Sequence, residues 1–355
     1  MRFEKAIPLD YEIIPLTGNR RVVTVDPKTN TVYVSNGTTL EKTVDWGTTF
    51  ETVHNFGSRV DYVEPLADGA LLVITLNKKV WRYIGGAATE VLQATGTPLN
   101  GVCAYGNFVM FGEYGGENKG KIQFSSDYGE TWRTILTMDP SDPTVDHVHD
   151  VQFDPYENLI WSAWGDGRPA DTLFFTDDFG ATWQTLADKH YIRATSIIPL
   201  PDCVLFGSDQ YYTVGTYRHD RPHGGTSQSD VRPYLDWRAR KDTFEGNAQT
   251  WATRAAITYG GPDDAIAFWG YHQASSGAGT LPAAIYASVG GRPYPVWCQD
   301  KLADGTDGNG IEGVWGPTAS GHLIADLRSI YPDSEGINRV FHILKIDWSS
   351  SGGAY

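Results

Sequence analysis

An eight-residue pattern occurs three times in this chain and constrains the fold more than any other feature. The copies share the skeleton Ser/Thr-x-Asp-x-Gly-x-Thr-aromatic and are Thr43–Phe50, Ser125–Trp132 and Thr176–Trp183. The Asp side chain can accept hydrogen bonds from backbone N–H groups just downstream and so close a turn. The Gly supplies a positive φ that other residues resist, and the aromatic residue re-enters a sheet. Each copy therefore predicts a strand, a tight turn and the next strand.

The spacing of the copies indicates a larger repeat. Asp45 and Asp127 are 82 residues apart, and Asp127 and Asp178 are 51 residues apart. The first interval fits two units of about 41 residues, one of which has lost its pattern, and such periods are typical of propeller blades. The sequence thus predicts an all-β propeller. The alternative is a set of chance turns in an unrelated all-β domain.

The pattern resembles the Asp-box of the sialidase-like, or BNR-repeat, β-propellers. This resemblance implies that the boxes join third and fourth strands on the face away from the ligand, so that Asp45, Asp127 and Asp178 are structural. It implies a ligand face built from the loops that enter each first strand and the loops that join second to third strands. The Arg-Ile-Pro segment of that family is absent here, which argues against sialidase activity.

Strand-like segments fill seven units, and we predict a single domain over residues 1–355 with seven four-stranded antiparallel blades; six blades are the alternative. The last unit is one strand short. Tyr11–Leu16 can supply that strand and close the ring, which removes an exposed sheet edge. Residues 221–247 are polar and rich in Gly and Pro, which predicts a loop insertion. Ser288–Trp297 is interpreted as a decayed box.

Composition excludes several classes of function. The formal charge of −15 disfavours nucleic acid as a partner. No apolar run approaches the roughly 18 residues that cross a membrane, and the N-terminus lacks the pattern of a signal peptide. The three cysteines, Cys103, Cys203 and Cys298, lie far apart in apolar contexts and are expected to be buried free thiols.

The polar residues best placed for chemistry are predicted at the mouth of the central channel. The catalytic candidates are Asp150, Asp166 and Glu113. The ligand-binding candidates are His147, His149, Asp150, Asp166, Arg168, Arg193, Asp209 and Arg254. Three interpretations stay open: a glycosidase with paired carboxylates, a metal site at the two His residues, or an inert polar channel lining. We predict no cofactor and no metal, because the motifs for phosphate, nucleophile and zinc sites are missing.

Two further residue sets have alternative roles. The sialidase resemblance implies inward arginines that clamp a carboxylate, and the alternative is pairing with carboxylates of the channel itself. The candidates are Arg21, Arg59, Arg193 and Arg254. The aromatic segments Trp161–Trp164 and Trp269–Gln273 suit either sugar stacking or the core.

These observations favour a non-catalytic recognition or assembly propeller that binds a glycan or protein surface. An extracellular or virion-associated setting is expected, such as a receptor-binding phage tail protein with other subunits around it; a cytoplasmic setting is the alternative. The competing hypothesis for function is a glycoside hydrolase of sialidase-like architecture, which would use carboxylates at the channel mouth.

Overall fold

The computed structural model describes residues 9–98, 102–114, 120–138, 147–165, 172–187, 192–208, 215–221, 231–236, 250–252, 256–259, 265–273, 283–289, 292–299, 310–333 and 336–348. Within these ranges the chain forms β-strands and no helix. The strands make seven antiparallel sheets, which confirms the predicted seven-bladed propeller.

The first half of the chain builds four complete blades after a separate first strand. That strand is β1 Tyr11–Pro15. Blade 1 contains β2 Arg20–Asp26, β3 Thr31–Asn36, β4 Thr39–Thr43 and β5 Glu51–Asn55. Blade 2 contains β6 Val60–Pro65, β7 Leu71–Thr75, β8 Lys79–Ile84 and β9 Ala87–Gln93. Blade 3 contains β10 Cys103–Tyr105, β11 Phe108–Gly112, β12 Lys121–Ser125 and β13 Arg133–Thr137. Blade 4 contains β14 His147–Asp154, β15 Leu159–Gly165, β16 Thr172–Thr176 and β17 Gln184–Ala187.

The second half builds three more blades. Blade 5 contains β18 Ala194–Pro199, β19 Cys203–Ser208, β20 Gly215–Asp220 and β21 Val231–Asp236. Blade 6 contains β22 Thr250–Ala252, β23 Ala256–Tyr259, β24 Ala265–Gln273, β25 Ala283–Val289 and β26 Arg292–Gln299, with β22 and β23 both pairing with β24. Blade 7 contains β27 Gly310–Trp315, β28 His322–Asp333 and β29 Gly336–Asp347.

The ring closes between the two ends of the described chain, as the sequence predicts. Strand β1 pairs antiparallel with β29, from Tyr11 opposite Ile346 to Pro15 opposite His342. Glu12 adds an ion pair with Lys345 at 3.1 Å. Blade 7 thus takes its outermost strand from the N-terminal side, and blade 1 packs against β28 and β29 to complete the ring.

One segment differs from its prediction. Residues 221–247 are predicted as a loop insertion, but Val231–Asp236 pairs with β20 as the outermost strand of blade 5. That part of the prediction is wrong; apart from Arg221, the rest of the segment lies outside the described residues. The interpretation of Ser288–Trp297 as a decayed box falls on a hairpin in which Val289 pairs with Arg292 between β25 and β26.

The three copies of the pattern form one structure, which we call the Asp corner. Each corner joins the third and fourth strands of its blade. The Ser or Thr hydroxyl donates to Asp Oδ1 at 2.8, 2.7 and 2.7 Å in blades 1, 3 and 4. The Thr four residues after each Asp donates its N–H to Oδ1 at 2.9 Å in all three. Its hydroxyl donates to Oδ2 at 2.7, 2.6 and 2.7 Å.

Two consecutive residues of each Asp corner have a positive φ, whereas the sequence predicts one. The Gly has a positive φ in each copy, as predicted, with values of 93°, 78° and 90°. The aromatic residue between Asp and Gly also has a positive φ, of 58° at Trp46, 58° at Tyr128 and 55° at Phe179. A non-glycine residue in this region is uncommon. We attribute its retention to the Asp hydrogen bonds on both sides, which over-determine the turn.

Each Asp corner fills the seam between its own blade and the preceding blade. The aromatic residue that ends each pattern is half-buried against the shared core: Phe50 with blades 7 and 1, Trp132 with blades 2 and 3, and Trp183 with blades 3 and 4. Arginines of the preceding blade reach the corner backbone, with Arg82 donating to Tyr128 O at 3.2 Å and Arg133 to Phe179 O at 3.1 Å. The corner is therefore a junction between blades.

Blade 5 uses an ion pair at the equivalent place. Arg221 directly follows β20 and pairs with Asp154 of blade 4 at 2.7 Å and with Glu157 at 2.9 Å. Asp154 is fully buried and also accepts a hydrogen bond from Trp161 Nε1 at 3.2 Å. A buried carboxylate with these partners joins two blades, and it would be left without its cation if Arg221 were removed.

The Asp corners are expected to make stability depend on pH. Hydrogen bonds, first from the N–H of Thr49 or Thr182, hold the pKa of Asp45 and of Asp178 at about 2. Burial raises the pKa of Asp127, but hydrogen bonds from Thr131 and Ser125 outweigh it and lower that pKa as well. Since an unfolded Asp has a pKa of about 3.9, the stabilisation is present above about pH 4 and is lost towards about pH 2.

The double variant Asp45→Asn/Asp178→Asn should therefore lose less stability than the wild type when pH falls from about 5 to about 2. Urea midpoints across this range measure the effect. Asp177→Asn, at a neighbouring exposed position of the same corner, is the control and should keep the wild-type pH profile. An identical pH dependence in all three proteins would contradict the role of the corner carboxylates.

Removal of the buried partner of Arg221 should be costly. Asp154→Ala is expected to lower the free energy of unfolding by about 3 kcal/mol or more, because it leaves a buried guanidinium without its main carboxylate. Asp202→Ala is the matched control, since Asp202 pairs with Arg218 at 2.7 Å but has a side chain 49% exposed. Its cost should stay below about 1 kcal/mol. Equal costs in denaturant unfolding would show that Asp154 is not a junction residue.

Candidate functional site

Four of the five catalytic or ligand-binding candidates that the structure describes are buried, and the fifth, Arg193, is half-buried. His147, His149 and Asp150 are on β14, the inner strand of blade 4, and Glu113 follows β11 of blade 3. Their exposed fractions are 0, 3, 3 and 1%. Asp166, Arg168, Asp209 and Arg254 lie outside the described residues. Glu113, His147, His149 and Asp150 are thus covered by protein, Glu113 on the blade 2 side of blade 3 and the other three on the inner strand of blade 4.

Glu113 is held by hydrogen bonds from several directions. Oε2 accepts from the Thr95 hydroxyl at 2.7 Å and from the Gly96 N–H at 2.5 Å, and Oε1 accepts from Gln123 Nε2 at 2.6 Å. A buried carboxylate with donors on both oxygens is fixed in place and has little freedom to approach a substrate. This geometry suits a residue that joins blade 2 to blade 3.

Asp150 and His149 connect blade 4 to blade 5. Asp150 Oδ2 accepts the Ile197 N–H at 2.6 Å, and its Oδ1 accepts from Gln152 at 3.1 Å. His149 Nδ1 lies 2.9 Å from the Ala194 carbonyl oxygen. A register shift between Val148 and Asp150 places His149 at a β-bulge, and bulges re-aim side chains. The bulge interrupts the alternation by which residues two apart on a strand, such as His147 and His149, face the same side.

The two histidines still lie close together. The rings of His147 and His149 are 4.7 Å apart, and the ring of Tyr114 lies 3.7 Å from that of His147. A Cβ placed on Gly165 would come 2.1 Å from His149 Cε1, so glycine is required there for the imidazole to fit. Across the ranges that the structure covers, no group of three or more His, Cys, Asp or Glu side chains is arranged to hold a metal ion.

Two of the candidate arginines pair with a carboxylate of the protein. Arg21 contacts Asp61 at 2.9 Å and Arg59 contacts the same carboxylate at 2.7 Å. Arg21 also donates to the backbone oxygens of Val60 and Asp61. These contacts agree with the alternative in which channel arginines pair with the protein itself. Arg193, just before β18, is half-buried with a φ of 42°.

The tryptophans of the aromatic segments belong to the core. Trp161, Trp164 and Trp269 are at most 1% exposed. Cys103 and Cys203 are buried free thiols, as expected, and burial raises the pKa of the Cys203 thiol to about 12. A thiol of this kind is not a nucleophile at neutral pH.

An open cavity of about 700 Å³ occupies the channel mouth on the Asp-corner side of the ring. Its walls come from the turns that join first to second strands in blades 1, 2, 3 and 7 and from the neighbouring strand ends. These turns and the Asp corners share one face, because first-to-second and third-to-fourth connections of an antiparallel blade lie at the same edge. The face that the resemblance implied for a ligand is the opposite one. We call this space the channel-mouth cavity.

The channel-mouth cavity is lined mainly by aromatic, aliphatic and small residues with a few charges. Its aromatic side chains are Tyr33, Tyr105 and Trp315, and its charged ones are Asp26, Lys28 and Glu64. Asp26 also closes its own turn by accepting from the Lys28 N–H at 3.0 Å and the Thr29 hydroxyl at 2.8 Å. Burial, with Asp26 and Tyr83 nearby, raises the pKa of Tyr33, so its hydroxyl stays protonated and able to donate. Sequence reasoning missed these residues because ordinary turn residues carry no motif.

A second, smaller cavity of about 190 Å³ lies between blades 1 and 2. It shares Tyr33, Gly69 and Leu71 with the channel-mouth cavity, so the two spaces are adjacent. Its outer part is lined by Thr52 of β5 and by Tyr83 near the end of β8. We call it the blade 1–2 groove.

Comparison with solved structures places the chain among propellers. YCF48 bound to a D1 peptide is 11% identical with a TM-score of 0.56, over 96% of this chain and 98% of that one. YCF48 from Cyanidioschyzon merolae is 15% identical with a TM-score of 0.58, over 95% and 98% of the two chains. The RRP9 WD40 repeats are 11% identical with a TM-score of 0.58, over 97% and 100%. At these identities the likeness establishes the fold alone.

The sequence gives no closer assignment. No family model matches the chain, and a search of curated proteins finds no significant match. In the part of the chain that the structure describes, no helix is long and apolar enough to cross a membrane. Function must therefore be argued from the sites themselves.

The role of Glu113 can be tested by stability. Glu113→Gln should lower the free energy of unfolding by about 1–3 kcal/mol. In the wild type both carboxylate oxygens accept hydrogen bonds, whereas in the variant the Gln NH2 group would face one of these donors and leave it without an acceptor. Denaturant unfolding measures this change. Glu130→Gln, at a side chain 62% exposed, is the control and should be close to neutral. A neutral Glu113→Gln would contradict the joining role.

Proposed function

We propose that this chain is a non-catalytic recognition or assembly propeller that binds a protein or glycan surface. The observation that carries the proposal is the contrast between two environments. The described catalytic candidates, Glu113 and Asp150, are buried and accept hydrogen bonds from the protein. The open channel-mouth cavity presents mainly aromatic and apolar walls with few charges. Concave surfaces of that kind suit binding.

Two further observations support this function. Glycoside hydrolysis by the usual route needs two carboxylates that flank a bond in an open cleft, and the two described candidates have no such exposure. One of the propellers of similar fold, YCF48, is known in a complex with a peptide, which gives an analogy for binding. The three identical Asp corners support the resemblance to Asp-box propellers as an architectural relationship.

The setting is part of the same proposal. We infer an extracellular or virion-associated role, such as a phage tail component among other subunits, on the basis of the acidic charge and the eroded sialidase pattern. Mass spectrometry of purified particles from the source would test it. Absence of the chain from such particles, with recovery from the cell lysate, would count against this setting.

The decisive experiment combines a glycan array with a reducing-sugar release assay on the same protein. We expect no release above the blank for the wild type, and equal results for Asp150→Asn and Asp166→Asn. Circular dichroism verifies that each variant folds. Sugar release by the wild type that folded Asp166→Asn loses would overturn the non-catalytic proposal in favour of a glycoside hydrolase. The array identifies any glycan that the binding surface accepts.

A further inference from the structure

We propose that the blade 1–2 groove and the channel-mouth cavity together bind an extended, basic segment of a partner polypeptide. This inference rests on the recognition function proposed above and names the class of its partner. It follows from a seam between blades that the fold leaves unfilled, from the shape of the resulting space, and from the charges on its walls.

The seam is open because blade 2 has no Asp corner. Its third and fourth strands are joined by the two residues Gly85 and Gly86, with φ of 59° and 89°, which form a minimal hairpin turn. In blade 4 the corner packs tightly on the preceding blade, and a Cβ on Gly180 would lie 2.7 Å from Ile135 Cβ. A Cβ on Gly85 meets no atom within 4 Å among the described residues. The volume that a corner would fill is therefore empty.

Three aromatic side chains close the seam beneath the groove: Tyr83, Phe56 and Trp81. The Tyr83 hydroxyl donates to the Val53 carbonyl oxygen at 3.1 Å, which ties blade 2 to blade 1. Phe56 and Trp81 pack beneath in the shared core. The groove thus has a rigid floor and does not depend on movement of the blades to form.

The shape of the space favours an extended chain over a compact sugar. The groove continues into the channel-mouth cavity through Tyr33, Gly69 and Leu71. It crosses a blade from its inner to its outer strand, which is about 14 Å at a strand spacing of about 4.8 Å. That length matches about four residues of extended polypeptide at roughly 3.3 Å each. A single sugar ring would occupy only one end.

The charges on the walls favour a basic segment. Asp26 and Glu64 line the inner end, and Lys28 lies on the exposed turn at its rim. At the outer end Lys42 and Glu51 form a pair at 3.2 Å, so their charges offset each other. The chain as a whole carries −15, which attracts cationic partners and repels acidic ones. An acidic glycan would meet the same repulsion.

The test uses a phage-displayed library of random octapeptides selected on the full-length chain. Enriched peptides are synthesised with a fluorescent label, and their affinity is measured by anisotropy. We expect enrichment of Lys and Arg, and weaker binding as salt rises. Thr52→Trp, which fills the exposed outer part of the groove, should weaken binding at least about tenfold. Thr89→Trp, an exposed strand threonine of blade 2 outside the groove, should bind as the wild type does.

A second variant fills the seam between blades 1 and 2 by giving blade 2 an Asp corner. Replacement of Gly85–Gly86 by the blade 1 corner sequence, residues 43–50, should remove peptide binding while unfolding cooperatively like the wild type. The proposal is overturned if no peptides enrich, if those enriched are acidic, or if Thr52→Trp binds them as the wild type does. Binding of an oligosaccharide that Thr52→Trp blocks would assign the groove to a glycan instead. None of these outcomes involves sugar release, so the two proposals fail separately.

Discussion

The Asp carboxylate of each corner is the interaction on which the arrangement of the blades depends. It binds a hydroxyl before it and both an N–H and a hydroxyl after it, with nearly equal distances in blades 1, 3 and 4. These bonds are local, so they form from eight consecutive residues without help from the rest of the fold. The corner that they hold then presents an aromatic residue to the preceding blade. A local turn thereby determines how two blades meet.

Two junctions between blades that lack an Asp corner show how the corner contributes to blade packing. Between blades 4 and 5 the place is taken by the buried ion pair of Arg221 and Asp154, which joins the blades with charge in place of an aromatic ring. Between blades 1 and 2 the Arg21–Asp61 ion pair joins the two inner strands, but neither device occupies the corner position, and the groove remains there. Loss of one repeat copy is therefore compatible with a stable ring, because the floor of the seam is still packed. The same loss creates a concave surface.

Much of the fold follows from the sequence because its signals are local and repeated. The corners, the seven blades and the closing strand at Tyr11–Pro15 all have short-range signals or a fixed period. The strand Val231–Asp236 was missed because Pro233 and the Gly-rich flanks indicate a loop, although an outermost strand tolerates proline. The positive φ of the aromatic corner residues was missed because residue type alone assigns that conformation to glycine. The site was harder to predict, since burial of Glu113 and Asp150 depends on contacts across blade seams.

The closed ring also explains where a binding surface can form. Inner strands of neighbouring blades lie close enough for their side chains to reach each other's backbone, as Asp150 reaches Ile197 and Arg21 reaches Val60. Polar residues on these strands therefore hold the blades together. In the segment His147–Asp150, for example, His149 and Asp150 contact the backbone of blade 5 and are not available to a ligand. Turns at the channel mouth and the corner position between blades 1 and 2 do not have that task. Recognition in such a propeller is thus expected where the repeat is least regular, because only there does the packing leave space for a partner.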